Sequence, residues 1–134
     1  MKYLDALIIG AGFSGLYQLH CLRDKLKLNT LVVEEGKDIG GTWYWNTYPG
    51  ARCDSESFTY GFTFSEKIFK NWTWKERYPK QNVILKYLKY FSNKLKLKKN
   101  IVFNEKVISA KYIEKNNLWK IQTNNKKKYY TKYL

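Results

Sequence analysis

The chain has 134 residues, enough for one domain of ordinary size, and no apolar run reaches the ~20 residues that cross a bilayer. Its net charge is +14, but nearly all the cations are lysines spread along the chain, whereas a nucleic-acid groove clusters arginine. With two cysteines and one histidine it has neither a disulfide framework nor a histidine-rich metal site. We expect a cytoplasmic protein with no metal, nucleic-acid or membrane partner.

The first predicted elements are a strand and a glycine loop. Residues 4–9 predict a strand buried on both faces, and Gly10, Gly12 and Gly15 follow it with the G-x-G-x-x-G spacing of dinucleotide-binding loops. In such loops the first glycine permits a tight turn, the second lets a pyrophosphate approach, and the third lets the next helix pack closely. Ser14 is expected to contact the phosphate. The alternative is a glycine-rich turn in an unrelated α/β domain.

The next elements complete a strand-helix-strand unit. Leucines at helical spacing predict a helix over residues 13–28, and residues 30–33 predict a second buried strand that ends in Glu34. This acid lies about 20 positions beyond the glycines, where its carboxylate would accept hydrogen bonds from an adenosine ribose. An unrelated α/β domain does not explain that placement. The sequence therefore predicts a Rossmann-like dinucleotide-binding fold, with His20 exposed on the first helix.

Residues 40–57 form a second glycine-containing stretch. Two adjacent glycines open it, and three aromatic residues follow at 43–45. The Tyr-Pro-Gly sequence at 48–50 predicts a turn that folds the chain back, so that Arg52 and Asp54 point toward whatever the aromatic side chains surround. The alternative is that these aromatic residues only fill the core.

The remaining elements are a crossover helix and a β-meander. An apolar stripe predicts a helix that opens at Pro79, and residues 101–103 predict a strand that joins the parallel sheet. Alternating patterns predict antiparallel strands over residues 107–113, 118–123 and 128–133. We expect these three strands to lie as a small meander on the nucleotide-binding domain, with a solvated turn at the lysines that precede the last strand.

Residues 40–57, together with the first glycine loop, resemble the type I Baeyer-Villiger monooxygenases, relatives of the flavin-containing monooxygenases. Further matches follow in order along the chain: Tyr60, Phe62, Phe64, Trp74-Lys75-Glu76-Arg77-Tyr78 and Gln81. The resemblance covers the whole chain. It implies an oxidoreductase that uses FAD, NADPH and O₂ to convert a ketone into an ester or lactone through a peroxyflavin. Such chemistry needs a site walled off from water, which bulky aromatic side chains can provide.

The resemblance also implies which residues contact the two cofactors. The implied FAD contacts are Gly10, Gly12, Ser14, Gly15, Glu34, Thr42, Trp43, Tyr44, Trp45, Asp54, Tyr60 and, through its backbone, Val107. The implied NADP contacts are Arg52, Cys53 and Asp54. Asp54 is also the implied catalytic residue, which orients the flavin or nicotinamide and an arginine that the family supplies from a later segment.

Some features of the family are missing from this sequence. No glycine follows Gly61, so a second glycine loop for NADPH cannot form. We expect residues 1–134 to be the N-terminal part of an FAD-binding domain, without the NADPH-binding domain and not catalytic alone. The strand that closes the domain would begin at Tyr133. The alternatives are part of an N- or S-oxidising flavin monooxygenase, or a non-catalytic nucleotide-binding remnant.

Overall fold

The computed structural model describes residues 2–134, and its elements are arranged around one six-stranded sheet. The strands are β1 (Lys2–Ile9), β2 (Thr30–Val33), β3 (Ile101–Val102), β4 (Val107–Ile113), β5 (Leu118–Thr123) and β6 (Lys128–Tyr133). The α-helices are α1 (Phe13–Leu19), α2 (Thr42–Trp45), α3 (Glu66–Lys70) and α4 (Gln81–Lys94). A π-helical segment, His20–Lys25, continues α1, and 3₁₀ turns occupy Leu97–Asn100 and Glu114–Asn116.

Strands β1, β2 and β3 form a parallel unit. Ile8 of β1 lies opposite Val32 of β2, and Val32 lies opposite Ile101 of β3. The chain crosses from β2 to β3 through α4, which confirms the predicted crossover helix. Because parallel strands are covered by such crossovers, they carry apolar residues on both faces. Strand β2 accordingly is buried along its whole length.

The meander extends the sheet instead of lying on it. Strand β6 is antiparallel to β5 but parallel to β1, with Leu4 opposite Thr131 and Ala6 opposite Tyr133. The sheet order is therefore β3-β2-β1-β6-β5-β4. The three predicted antiparallel strands form, but the expectation that they lie on the domain is wrong, because they extend its sheet through β6. Tyr133, where a closing strand was expected to begin, is the last residue of β6. Ile9, predicted to be buried, is 54% exposed, since β6 pairs only with the first part of β1.

The helix predicted over residues 13–28 changes its hydrogen-bonding pattern part of the way along. It is α-helical to Leu19 and π-helical from His20 to Lys25. His20 is not exposed as predicted, because its side chain is only 12% accessible and stacks on Phe64 with 4.8 Å between ring centroids. Its Nδ1 lies 2.8 Å from a carboxylate oxygen of Asp24.

Two apolar clusters hold the sheet in place. The first packs α1 and α4 against the parallel strands and includes Leu16, Ile84 and Phe91, all fully buried. Aromatic rings from the segment between α2 and α4 pack on it, and Phe62 lies 4.0 Å from Phe91 between ring centroids. The second cluster joins β1 and β2 to the meander and includes Ile121. Within residues 2–134, no helix is long and apolar enough to cross a membrane.

Candidate functional site

The two glycine-containing stretches meet at the end of β1. The Gly40 N–H donates a hydrogen bond to the Ala11 carbonyl oxygen at 3.0 Å. A Cβ added to Gly41 would lie 2.9 Å from the Cα of Gly12, closer than real Cβ atoms approach their neighbours. A side chain at position 41 would therefore push the two loops apart. The two motifs, distant in sequence, form one continuous surface.

The first loop packs as its glycine spacing predicts. A Cβ on Gly15 would lie only 1.9 Å from the Gly10 carbonyl oxygen, so α1 reaches this position only because residue 15 is glycine. Gly12 precedes the first turn of α1, and no side chain within residues 2–134 caps that turn. Since the first backbone amides of a helix have no partner inside it, they are available to a ligand.

Both loops line one cavity of about 380 Å³. Predicted site residues that line it are Gly10, Gly12, Ser14, Gly15, Thr42, Trp43 and Tyr60. Residues that line it but were not among those predicted are Ile8, Ile9, Phe13, Gly40 and Gly41. The cavity thus combines glycine backbone and hydroxyl groups from the loops with an aromatic wall.

Trp43 and Tyr60 form that wall. Trp43 is 9% exposed, and its indole N–H donates to the Tyr60 hydroxyl at 3.1 Å. Their rings meet edge to face, and the Gln81 side-chain amide donates to the Trp43 carbonyl oxygen. Burial raises the pKa of Tyr60, and the nearby Asp54 charge adds to the effect. Tyr60 is therefore a neutral phenol at ordinary pH.

Glu34 lies beneath the first loop and not in the cavity wall. Its side chain accepts hydrogen bonds from the Ala11 and Gly36 backbone amides, both at 2.6 Å, and the residue is 4% exposed. It was predicted to face an adenosine ribose. In the structure its carboxylate holds the first glycine loop, although a carboxylate can accept about four hydrogen bonds and so retains capacity for a ribose hydroxyl.

The other predicted residues lie around the cavity without lining it. Tyr44 is half-buried and Trp45 is 57% exposed, with the two rings edge to face. Asp54 is exposed, and Val107 begins β4, the edge strand opposite β3, and packs against the second apolar cluster. Cys53 is buried in the first apolar cluster.

Arg52, which was predicted to point toward whatever the aromatic side chains surround, does not line the cavity bounded by Trp43. Its guanidinium donates to the Tyr78 carbonyl oxygen at 2.8 Å and to a Glu76 carboxylate oxygen at 3.1 Å. It lines a separate cavity of about 300 Å³, together with Tyr48 and Gln81. The predicted turn before it does form, since the Ala51 amide donates to the Tyr48 carbonyl oxygen.

Asp38 anchors the second glycine loop, a role that the sequence analysis missed. Its carboxylate lies 2.7 Å from the Lys98 ammonium and 3.0 Å from that of Lys89, and it accepts the Ile39 amide at 2.8 Å. Burial alone would raise the pKa of Asp38, but these partners hold it below its usual value. Both lysines lie some 50 or more residues away in sequence, so no local pattern pointed to them.

Within residues 2–134, there is no cluster of three or more histidine, cysteine or acidic side chains that could bind a metal ion. The fold and cavity instead define a class of protein, the Rossmann-like dinucleotide-binding domains. Residues 8–73 match the family model described as an NAD(P)-binding Rossmann-like domain.

Three similar proteins narrow this class. A Baeyer-Villiger monooxygenase from Pseudooceanicola batsensis is 42% identical over 130 residues, which cover 97% of this chain and 24% of that protein. An FAD-binding monooxygenase from Aspergillus aculeatus is 42% identical over 131 residues, 98% of this chain and 22% of that protein. A crystal structure of cyclohexanone monooxygenase from Rhodococcus sp. Phi1 bound to NADP⁺ has a TM-score of 0.96 at 39% identity and covers 98% of this chain and 25% of that one.

The chain is therefore homologous to the N-terminal part of Baeyer-Villiger monooxygenases, which confirms the resemblance seen in its sequence. It spans about a quarter of the length of these relatives and corresponds to their N-terminal part.

Proposed function

We propose that this chain binds FAD in the cavity between its two glycine loops. We further propose that it serves as the FAD-binding part of an NADPH- and O₂-dependent monooxygenase that converts ketones into esters or lactones. The observation that carries the proposal is the contact between Gly12 and Gly41, which joins a phosphate-binding loop to an aromatic wall in one cavity. A flavin dinucleotide has the matching chemistry, a charged pyrophosphate joined to a flat aromatic ring.

The residues present fit FAD at both ends of this cavity. At one end the uncapped first turn of α1 presents backbone amides, and the helix dipole favours the negative pyrophosphate there. At the other end Trp43 and Tyr60 supply apolar ring surface against an isoalloxazine. FAD, when bound, supplies the redox and oxygen chemistry. The protein contributes binding, orientation and exclusion of water.

The predicted roles of the peripheral residues belong to this proposal. Asp54 is exposed beside Tyr60 and is available to orient the nicotinamide of NADPH or a cationic side chain from another segment. Arg52 is held by Glu76 beside a cavity of its own, where its guanidinium presents a fixed positive charge to an anionic part of NADPH.

A chimera tests both halves of the proposal. Residues 1–134 would replace the matching part of the Rhodococcus cyclohexanone monooxygenase, whose backbone this chain follows closely. We expect a yellow protein with bound FAD that oxidises NADPH faster when cyclohexanone is present. Gly12→Ala is the matched variant, because its methyl group would make only ordinary contact with Gly41 at 3.4 Å while adding bulk at a residue that lines the proposed FAD cavity.

We expect the Gly12→Ala chimera to fold with unchanged thermal stability and to bind FAD at least tenfold more weakly. A folded but colourless parent chimera would contradict FAD binding by this chain. A yellow chimera that oxygenates an amine and not cyclohexanone would favour the N-oxidising alternative.

A further inference from the structure

Glu105 is a buried acidic residue that the cavity between the glycine loops does not use. It lies in the turn between β3 and β4 and is 1% exposed. Its carboxylate accepts the Tyr129 hydroxyl at 2.9 Å and lies 2.5 Å from the Lys127 ammonium. Because a buried charge is costly unless it is paired, this arrangement needs a reason beyond filling space.

The ionisation of this group is matched to its partners. Burial alone would raise the pKa of Glu105, but the bonds from Lys127 and Tyr129 hold it below its usual value. Burial and the Glu105 carboxylate together raise the pKa of Tyr129 to about 12. At neutral pH the carboxylate is therefore charged and the Tyr129 hydroxyl keeps the proton that it donates.

The backbone around Glu105 is bonded to the segment that carries Glu34. The Glu105 amide donates to the Glu34 carbonyl oxygen at 3.0 Å, and the Asn104 amide donates to the Gly36 carbonyl oxygen at 3.0 Å. The turn at 104–106 is thus connected on one side to the end of β2 and, through the Glu105 side chain, to β6 on the other.

We propose that Glu105 is a positioning residue for the adenosine half of the bound dinucleotide. Its carboxylate fixes the 104–106 turn against β6, and that turn sets the backbone at Glu34 and at Val107. Glu34 is expected from its sequence position to accept from the adenosine ribose, and the resemblance implies a backbone contact from Val107 to FAD, so the inference rests on the proposed function. Glu105 itself does not contact the ligand. It acts by holding the residues that contact the ligand in their binding positions.

The test measures FAD and ADP affinity of the full 134-residue chain by fluorescence titration and calorimetry. We expect Glu105→Ala to weaken both FAD and ADP by about tenfold, since both ligands carry the adenosine half. Glu105→Gln keeps the shape and one hydrogen-bonding oxygen, and we expect about a threefold loss. The visible absorption spectrum of FAD at saturation should not change in either variant, because the flavin half is untouched.

Two control variants separate positioning from general loss of stability. Ile121→Val removes a buried methyl group from the second apolar cluster, and Glu114→Gln removes an exposed charge from the meander. We expect both to retain parental affinity for FAD and ADP. The inference would be overturned if both Glu105 variants kept the parental affinity, or if Ile121→Val lost as much affinity as they do. In either case FAD binding by the parent chain would leave the proposed function intact. A parent chain that does not bind FAD would overturn both.

Discussion

Asp38 shows how one side chain can hold a ligand-binding loop in place. It is three-quarters buried, and it receives two lysine ammonium groups and the backbone amide of Ile39 just before Gly40 and Gly41. Both ammonium groups come from the crossover helix and the 3₁₀ turn that follows it. The carboxylate therefore connects the second glycine loop to the layer of helices.

The pKa of Asp38 makes this connection dependent on pH. Its pKa in the folded protein is below the ordinary value of 3.8, so its contribution to the free energy of unfolding is complete above that value and is lost as the pH falls below it. We expect Asp38→Asn to lower the free energy of unfolding by about 1 kcal/mol at pH 7. Near pH 2.5 the variant and parent should differ less. Urea unfolding of the parent and Asp38→Asn at the two pH values measures this difference, with Glu114→Gln as an exposed control. A difference in the free energy of unfolding that is the same at both pH values would contradict the prediction.

Single side chains also mark the limit of what the sequence could predict. The glycine spacing identified the tight packing of Gly15 on Gly10, because that motif encodes a local geometry. The partners of Arg52 and the two amides bonded to Glu34 depend on segments that are brought together only by the fold. Local sequence patterns cannot predict contacts between segments that are distant in the chain.

The π-helical segment His20–Lys25 connects the helix between β1 and β2 to α4, the helix that crosses from β2 to β3. Arg23 extends from it to the C-terminal end of α4, where its guanidinium donates to the Leu95 carbonyl oxygen at 2.7 Å and to the Asn100 side chain at 3.1 Å. It also forms an ion pair with Asp24 at 2.7 Å. One planar side chain thus satisfies groups on three segments, because its five N–H donors form a fixed fork.

Arg23→Lys should break this junction while keeping the charge. A lysine ammonium cannot reach the same set of acceptors together, so we expect a loss of about 1–2 kcal/mol in the free energy of unfolding. Arg77→Lys is the matched control, because Arg77 is 70% exposed and its ion pair with Glu56 lies at the surface, so it should change stability by less than about 0.5 kcal/mol. Equal effects of the two substitutions in urea unfolding would show that the junction adds no stability.

The helices and strands differ in how well their sequence patterns predicted them. The bounds of β2, β4, β5 and β6 match the alternating and apolar runs. In β2, β5 and β6 the runs reflect burial, whereas residues 108–112 of β4 are exposed. The π-helical segment was not predicted, because six residues with π-type hydrogen bonds are too few to show a period of their own in the spacing of the leucines. The parallel pairing of β6 with β1 was missed for another reason: hairpin signals establish which neighbours pair, but not where a meander is placed.

Across the whole molecule, the end of β1, the start of α1 and the second glycine loop lie around one cavity. Ligands of open α/β sheets bind outside the carboxyl ends of the strands, and this cavity has that location. The net charge of +14 favours anionic ligands in general but does not select among them. Under the proposed function, selection of FAD comes from the combination of the first glycine loop with Trp43 and Tyr60.

Comparing the affinities of the 134-residue chain for FAD, ADP and FMN tests whether one ligand occupies both loops. If the first loop and Glu34 bind the adenosine half while Trp43 and Tyr60 bind the flavin half, FAD should bind at least about 100-fold more tightly than either ADP or FMN. Equal affinity for FAD and ADP would show that the aromatic wall makes no contact with the flavin and would contradict the account.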